Sequence, residues 1–200
     1  VQTCALPICE QFIEWVRRPE PEALLNASIF FDLRPLHGDA ELGEQLRTLL
    51  LSMTVATPSF QHLMAANALQ AEVPLTFRGE LALNDDDEID LKKFGSRIFV
   101  DAGRILALTA GTRSVNTVER LLQAGETIGL PAQEQAGFVA AFSHILRLRL
   151  VQQSAAPDAS VTMGSGLKPS MLHDLDRAIL RESLKQARRL QQRLKLNYSL

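Results

Sequence analysis

The chain has 200 residues, 46% hydrophobic and 22% charged, enough apolar material for a substantial core and too much for a disordered segment. Its 21 Lys and Arg against 23 Asp and Glu leave a net charge of -2, which disfavours a surface built to neutralise phosphates, so nucleic acid is not an expected partner. No apolar run approaches the roughly 20 residues that span a bilayer, and no signal-peptide layout opens the chain, so a cytoplasmic location without a membrane partner is expected.

In chain order, "VQTCALPI" reads as no folded element and resembles a translated sequencing adapter, so residues 1–9 are set aside as an artefact or a disordered start. On that reading the chain is the C-terminal part of something longer. Cys4 and Cys9 lie there, too few for a disulfide framework or a metal cluster. From Glu10, the positions Phe12, Ile13, Trp15 and Val16 mark a short amphipathic helix broken by Pro19 and Pro21, with "PEALLNAS" adding one more turn. In "SIFFDLR", Ile29, Phe31 and Leu33 alternate with Phe30, Asp32 and Arg34, the period of a strand. After the "HGD" turn, Asp39 caps a helix in "AELGEQLRTLLLSM", and "SFQHLMAANALQ" forms another from a Ser59 cap.

"LTFRGELAL" and "EIDLKKFG", joined by "NDDD", read as a small β-hairpin. Three helices follow: "RIFVDAGRILALTAG" ending at Gly111, "NTVERLLQAGETIG" capped by Asn116 or Thr117, and one opening at Pro131. "SAAPDASVTMGSGLKPS" is a loop. The last helix, from Met171, carries Leu172, Leu175, Ile179, Leu184, Ala187, Leu190 and Leu194 as its apolar stripe. The expected fold is mainly α, with one hairpin and one upstream strand.

Asp32 and Arg34 on one strand face suit a carboxylate that holds a divalent ion beside a triphosphate, since Mg²⁺ is usually bound by one or two carboxylates plus substrate oxygens. An ion pair at an element junction accounts for the same residues. The acidic run Asp85 to Glu88 lacks the spacing of a calcium loop and reads as a wet turn. Lys92 and Lys93 are placed to touch a phosphate or an acidic partner, or to protect an edge strand. Arg177, Arg181, Lys185, Arg188, Arg189, Arg193 and Lys195 form either a basic face for a phosphate-bearing ligand or the solvated side of the last helix. The four histidines show no metal-binding spacing.

Together, "FIEWVRRPEPEALLNASIFFDLRPLHGDAEL", "DLKKFGSRIFVDAGRILALTAGTRSVNTVERL", "FSHILRLRLVQQ" and "LKQARRLQQRL" resemble the C-terminal half of a family of bacterial nucleotidyltransferases. Its members carry cyclic-nucleotide-binding or CBS sensor domains, a transferase domain similar to that of protein-PII uridylyltransferase, and a helical substrate-binding domain. The resemblance implies that residues 10–50 are the last helix and strand of a truncated α/β transferase domain and that 58–200 are the helical bundle. It places Asp32 where the third carboxylate of the centre falls, a candidate catalytic residue and Mg²⁺ ligand. Arg34, Lys92, Lys93 and Arg104 become candidate substrate contacts. The parent protein would use Mg²⁺ and a nucleoside triphosphate to transfer a nucleoside monophosphate to a protein or small-molecule hydroxyl, partnered by its own upstream transferase and sensor domains. The Gly-Ser motif and the strand-borne Asp-x-Asp pair of that class are missing upstream of Asp32, so neither activity nor a cofactor is expected of this chain alone. The "SVTMGSGLKPSML" segment also departs from the asparagine-containing turn that precedes the family's last helix. The competing expectation is a non-enzymatic regulatory or partner-binding helical module.

Overall fold

The structure, a computed structural model, describes residues 5–155 and 166–200. Val1 to Cys4 and most of the loop expected at 154–170 lie outside the described residues. Helix α1, Ala5–Arg17, starts before the expected Glu10, so Ala5 to Cys9 are helical. After Pro19, helix α2 runs Pro21–Phe30.

This second helix overturns the strand expected in "SIFFDLR". Proline at a first helical position gives up an N–H that has no partner there in any case and presets φ for the helix. The buried residues then fall at Ala23, Leu24, Ala27 and Phe31, steps of one, three and four, while Ile29 stays exposed. Helical spacing therefore separates the neighbours Phe30 and Phe31. Phe30 lies 5.4 Å from the Trp15 ring, whereas Phe31 meets Phe12 edge-on at 5.6 Å and Phe60 at 6.1 Å.

Helix α3 is Ala40–Val55, where the Asp39 carboxylate accepts from the Glu41 N–H at 2.9 Å as expected of its cap. Helix α4, Pro58–Ala68, starts one residue ahead of Ser59. Helices α5, Arg97–Thr109, and α6, Thr117–Thr127, both end on a glycine in the left-handed region, Gly111 at φ 66 and Gly129 at φ 73. In each, the N–H just beyond the glycine reaches back at 2.8 Å, Thr112 to the Ala107 carbonyl and Leu130 to that of Gly125. Asn116 caps α6 by accepting from the Val118 and Glu119 N–H groups. Helices α7, Ala132–Ala155, and α8, Asp174–Tyr198, complete the order.

The expected hairpin is also replaced. Among the described residues there are only isolated antiparallel bridges, Leu75 with Leu81 and Ile89 with Leu167. The first run folds on itself, Thr76 N–H donating to the Glu80 carbonyl at 2.8 Å and Ala82 N–H to that of Pro74 at 3.0 Å. The second never becomes a strand. The Asp90 carboxylate accepts from the N–H groups of Lys92 and Lys93, both at 2.9 Å, and starts a single π-helical turn, Lys92–Ser96, closed by Ser96 N–H on the Leu91 carbonyl.

Two compact units interleave along the chain, Val1–Asn67 with Gly103–Leu130 and Ala68–Ala102 with Pro131–Leu200. Phe12, Phe60, Ile105, Leu106 and Leu121 are the fully buried large side chains of the first. The second buries Ile89, Phe99, Phe138, Ile145, Leu180, Leu184 and Leu190, each contributing about 1.5–3 kcal/mol of transfer free energy. On α8 the inward stripe is Leu180, Ser183, Leu184, Ala187, Leu190, Gln191 and Leu194. Leu175, 64% exposed, and Ile179 belong outside it, because the stripe passes one residue later, through Leu180.

Candidate functional site

Asp32 stands just past α2. Its N–H and that of Leu33 close the helix on the carbonyls of Ile29 and Phe30, at 3.3 and 3.1 Å. The chain beyond is pinned to α3. Pro35 rests on Gly43, where any Cβ would fall 2.3 Å from the proline ring, and Arg47 donates to the Leu33 carbonyl.

Two arginines meet the carboxylate from distant parts of the chain. Arg104 on α5 donates to Oδ2 and Arg120 on α6 to Oδ1, both at 2.6 Å. Arg120 is only 5% exposed and spends every guanidinium nitrogen, with Nη2 on the Phe31 carbonyl at 2.8 Å and Nε on the Ser114 carbonyl at 2.7 Å. Burial works to raise the Asp32 pKa, but hydrogen bonds and charge from Arg104 and then Arg120 outweigh it and hold the carboxyl below its usual range. Burial lowers the Arg120 pKa, Asp32 opposes that, and the like charges of Arg104 and Arg47 add to the lowering. Beside this cluster Arg113 bonds Glu44 at 3.1 Å and the Thr48 hydroxyl at 2.9 Å.

Both oxygens of Asp32 already accept from guanidinium groups, so a cation brought to this carboxylate would meet two positive charges there. No three His, Cys, Asp or Glu side chains gather in a metal-holding cluster among the described residues.

Of the candidate contacts, the fold brings Arg104 to Asp32. Arg34 is exposed on the loop that follows α2. Lys92 and Lys93 belong to the second unit, where their N–H groups are held by Asp90 and the Lys93 ammonium sits 4.8 Å from the centre of the Phe94 ring. The acidic run splits in two: Asp85 to Asp87 are exposed around the Asn84 side chain, while Glu88 accepts from the Gly166 N–H at 2.7 Å. Sequence reasoning missed Arg120. The signal was its place on α6, one residue before Leu121 and four before Ala124, on the apolar face where a charge requires a partner.

The basic residues of α8 are mostly spent within the second unit. Arg177 bonds Asp174, Lys185 bonds Glu182, Arg181 grips Glu80, and Arg188 donates to the carbonyls of Leu75 and Thr76. Arg193 makes a two-point bond to Glu134 at 2.9 and 2.7 Å; that bond, against the opposing effect of burial, lowers the Glu134 pKa. Between the start of α7 and the second half of α8 runs a groove of about 740 Å³, lined by side chains that include Gln133, Gln186, Arg189 and Gln192.

Residues 58–198 match the profile of a family described as "Putative nucleotidyltransferase substrate binding domain". The chain belongs to that family. No curated protein and no solved structure matches it. The substrate-binding domain so defined begins at α4 and contains the groove, Arg104 and Arg120, whereas Asp32 and Arg47 precede it. Among the described residues, no helix is long and apolar enough to cross a membrane.

Proposed function

We propose that this chain is the acceptor-holding part of a nucleotidyltransferase-like signalling protein. The family match across residues 58–198 is the observation that carries this reading. The parent protein transfers a nucleoside monophosphate from a nucleoside triphosphate to a hydroxyl of a protein or small molecule, in the manner of a uridylyltransferase. The triphosphate and its Mg²⁺ belong to the catalytic part of that protein. The residues of this chain supply helical walls, and Asp32 serves to hold Arg104 and Arg120 rather than to ligate metal.

The test uses the parent protein with Mg²⁺, labelled nucleoside triphosphates and cell extract as the source of acceptor. Label should pass to an acceptor, and an excess of the present chain should lower that labelling by capturing the acceptor. Labelling that is indifferent to the added chain would overturn the acceptor-holding role. Capture of a partner without any transfer would instead favour the non-enzymatic module.

A further inference from the structure

The groove between α7 and α8 gathers several polar groups that the fold leaves unused. Nearby, Arg177, Arg181, Arg188 and Arg193 all have partners within the fold. Arg189 has no hydrogen bond or ion pair among the described residues, although its charge acts on Glu134, and Gln133 and Gln192 likewise have neither. All three side chains line the groove and are exposed. Gln186, the third glutamine on its wall, lies close to Gly137, where an added Cβ would stand 3.3 Å from the Gln186 carboxamide oxygen. Leu196, 75% exposed, and Pro131 add apolar surface to the lining.

Charge and hydrogen-bonding capacity define what fits. Glu134 neutralises Arg193, so the lining carries one surplus positive charge, that of Arg189. A glutamine carboxamide offers one acceptor and one donor group, the same pair that a peptide unit presents, so Gln133 and Gln192 match an extended backbone, while Gln186 already donates to Glu182 at 3.2 Å. A lone guanidinium suits a carboxylate in a two-point bond, and exposed leucine and proline suit an aliphatic side chain.

We propose that this groove binds an acidic, extended peptide segment of a partner protein, its carboxylate on Arg189 and an apolar neighbour against Leu196. The proposal rests on the acceptor-holding reading and narrows it, making the acceptor a protein recognised through an acidic stretch rather than a small molecule.

The probe is a fluorescent short peptide of alternating leucine and glutamate, titrated with the full 200-residue chain and read by anisotropy. Arg189→Glu should weaken binding about tenfold or more, since a hydrogen bond to a charged group is worth roughly 1.5–3 kcal/mol. Leu196→Ser should weaken it by a smaller factor. Lys195→Glu makes the same change of net charge outside the groove and should leave affinity within about twofold, as expected for an exposed charge that makes no contact. Circular dichroism of each variant should match the parent, because all three side chains are exposed. Equal affinity of the parent and Arg189→Glu chains overturns the proposal, as does an equal loss in the Lys195 control. Displacement of the peptide by inorganic tripolyphosphate at a lower concentration than by unlabelled peptide also overturns it, and assigns Arg189 to a phosphate. Binding is read without nucleotide, so the groove can fail this test while the parent protein still transfers, and can pass it where transfer is absent.

Discussion

Arginines serve opposite ends in the two units of this protein. In the first, Arg47, Arg104 and Arg120 crowd one carboxylate and the carbonyls next to it, and Arg120 is sealed from water. In the second, α8 lays its arginines along a wetter surface, pairing each with a separate carboxylate or carbonyl and leaving Arg189 over. Largely buried arginines such as Arg104 and Arg120 lose more when their shared carboxylate goes, because the charges left behind are short of water. A spread of exposed pairs loses little when any one is cut.

The largest effect should come from neither set. Leu184 is fully buried on α8, and Leu184→Asp would place an unpaired charge in the core of the second unit, costing about 3–5 kcal/mol or abolishing folding. An unchanged Tm would show that α8 turns another face inward. Next comes the cluster. Asp32→Ala leaves Arg104 and Arg120 facing each other, and with 41% of the Asp32 side chain exposed the cost of a broken buried pair is screened to about 1–2 kcal/mol. Arg181→Ala, which breaks an exposed pair with Glu80, should cost under about 1 kcal/mol by the same chemical denaturation. Equal losses in these two variants would erase the contrast between the units.

Acid sharpens the comparison. The carboxyls of Asp32 and Glu134 are both held below their ordinary values of 3.8 and 4.5, so as pH falls the unfolded chain takes up these protons first. Their contribution is present above those values and fades as pH drops through and below them. Asp32→Asn and Glu134→Gln should therefore differ in stability from the parent at pH 7 and converge on it as pH falls progressively below 3.8 and 4.5 respectively. A gap that persists in acid would mean that packing, not charge, is responsible. The smallest effect is expected of Lys92→Ala, exposed and held only through its backbone, within about 0.5 kcal/mol in the same denaturation experiment.

The helix ends were legible because their chemistry is local. Asp39, Asn116 and Gly111 act on residues within a turn or so of themselves, and nothing distant competes. The run from Ile29 to Arg34 misled because alternation over so few residues is also compatible with a helix whose exposed face holds an isoleucine; the deciding contacts, Phe31 on Phe12 and on Phe60, are long-range. The expected hairpin failed for a related reason, since the true partner of Ile89 is Leu167, far along the chain. Asp32 was recognisable as a special residue, but its nearest charge in sequence, Arg34, is not its partner. Seventy-two and 88 residues separate it from Arg104 and Arg120, a distance over which a single sequence carries no pairing signal.

The segment from Ala71 to Thr76 borrows its order from α8. Arg188 reaches the carbonyls of Leu75 and Thr76, and Gln191 reaches that of Ala71 at 2.6 Å. Side chains on a helix here take the part that a neighbouring strand plays in a sheet. A backbone docked in this way takes its register from two side chains as well as from its own turn, so a single residue inserted between Ala71 and Leu75 would put the bonds to Gln191 and Arg188 out of step.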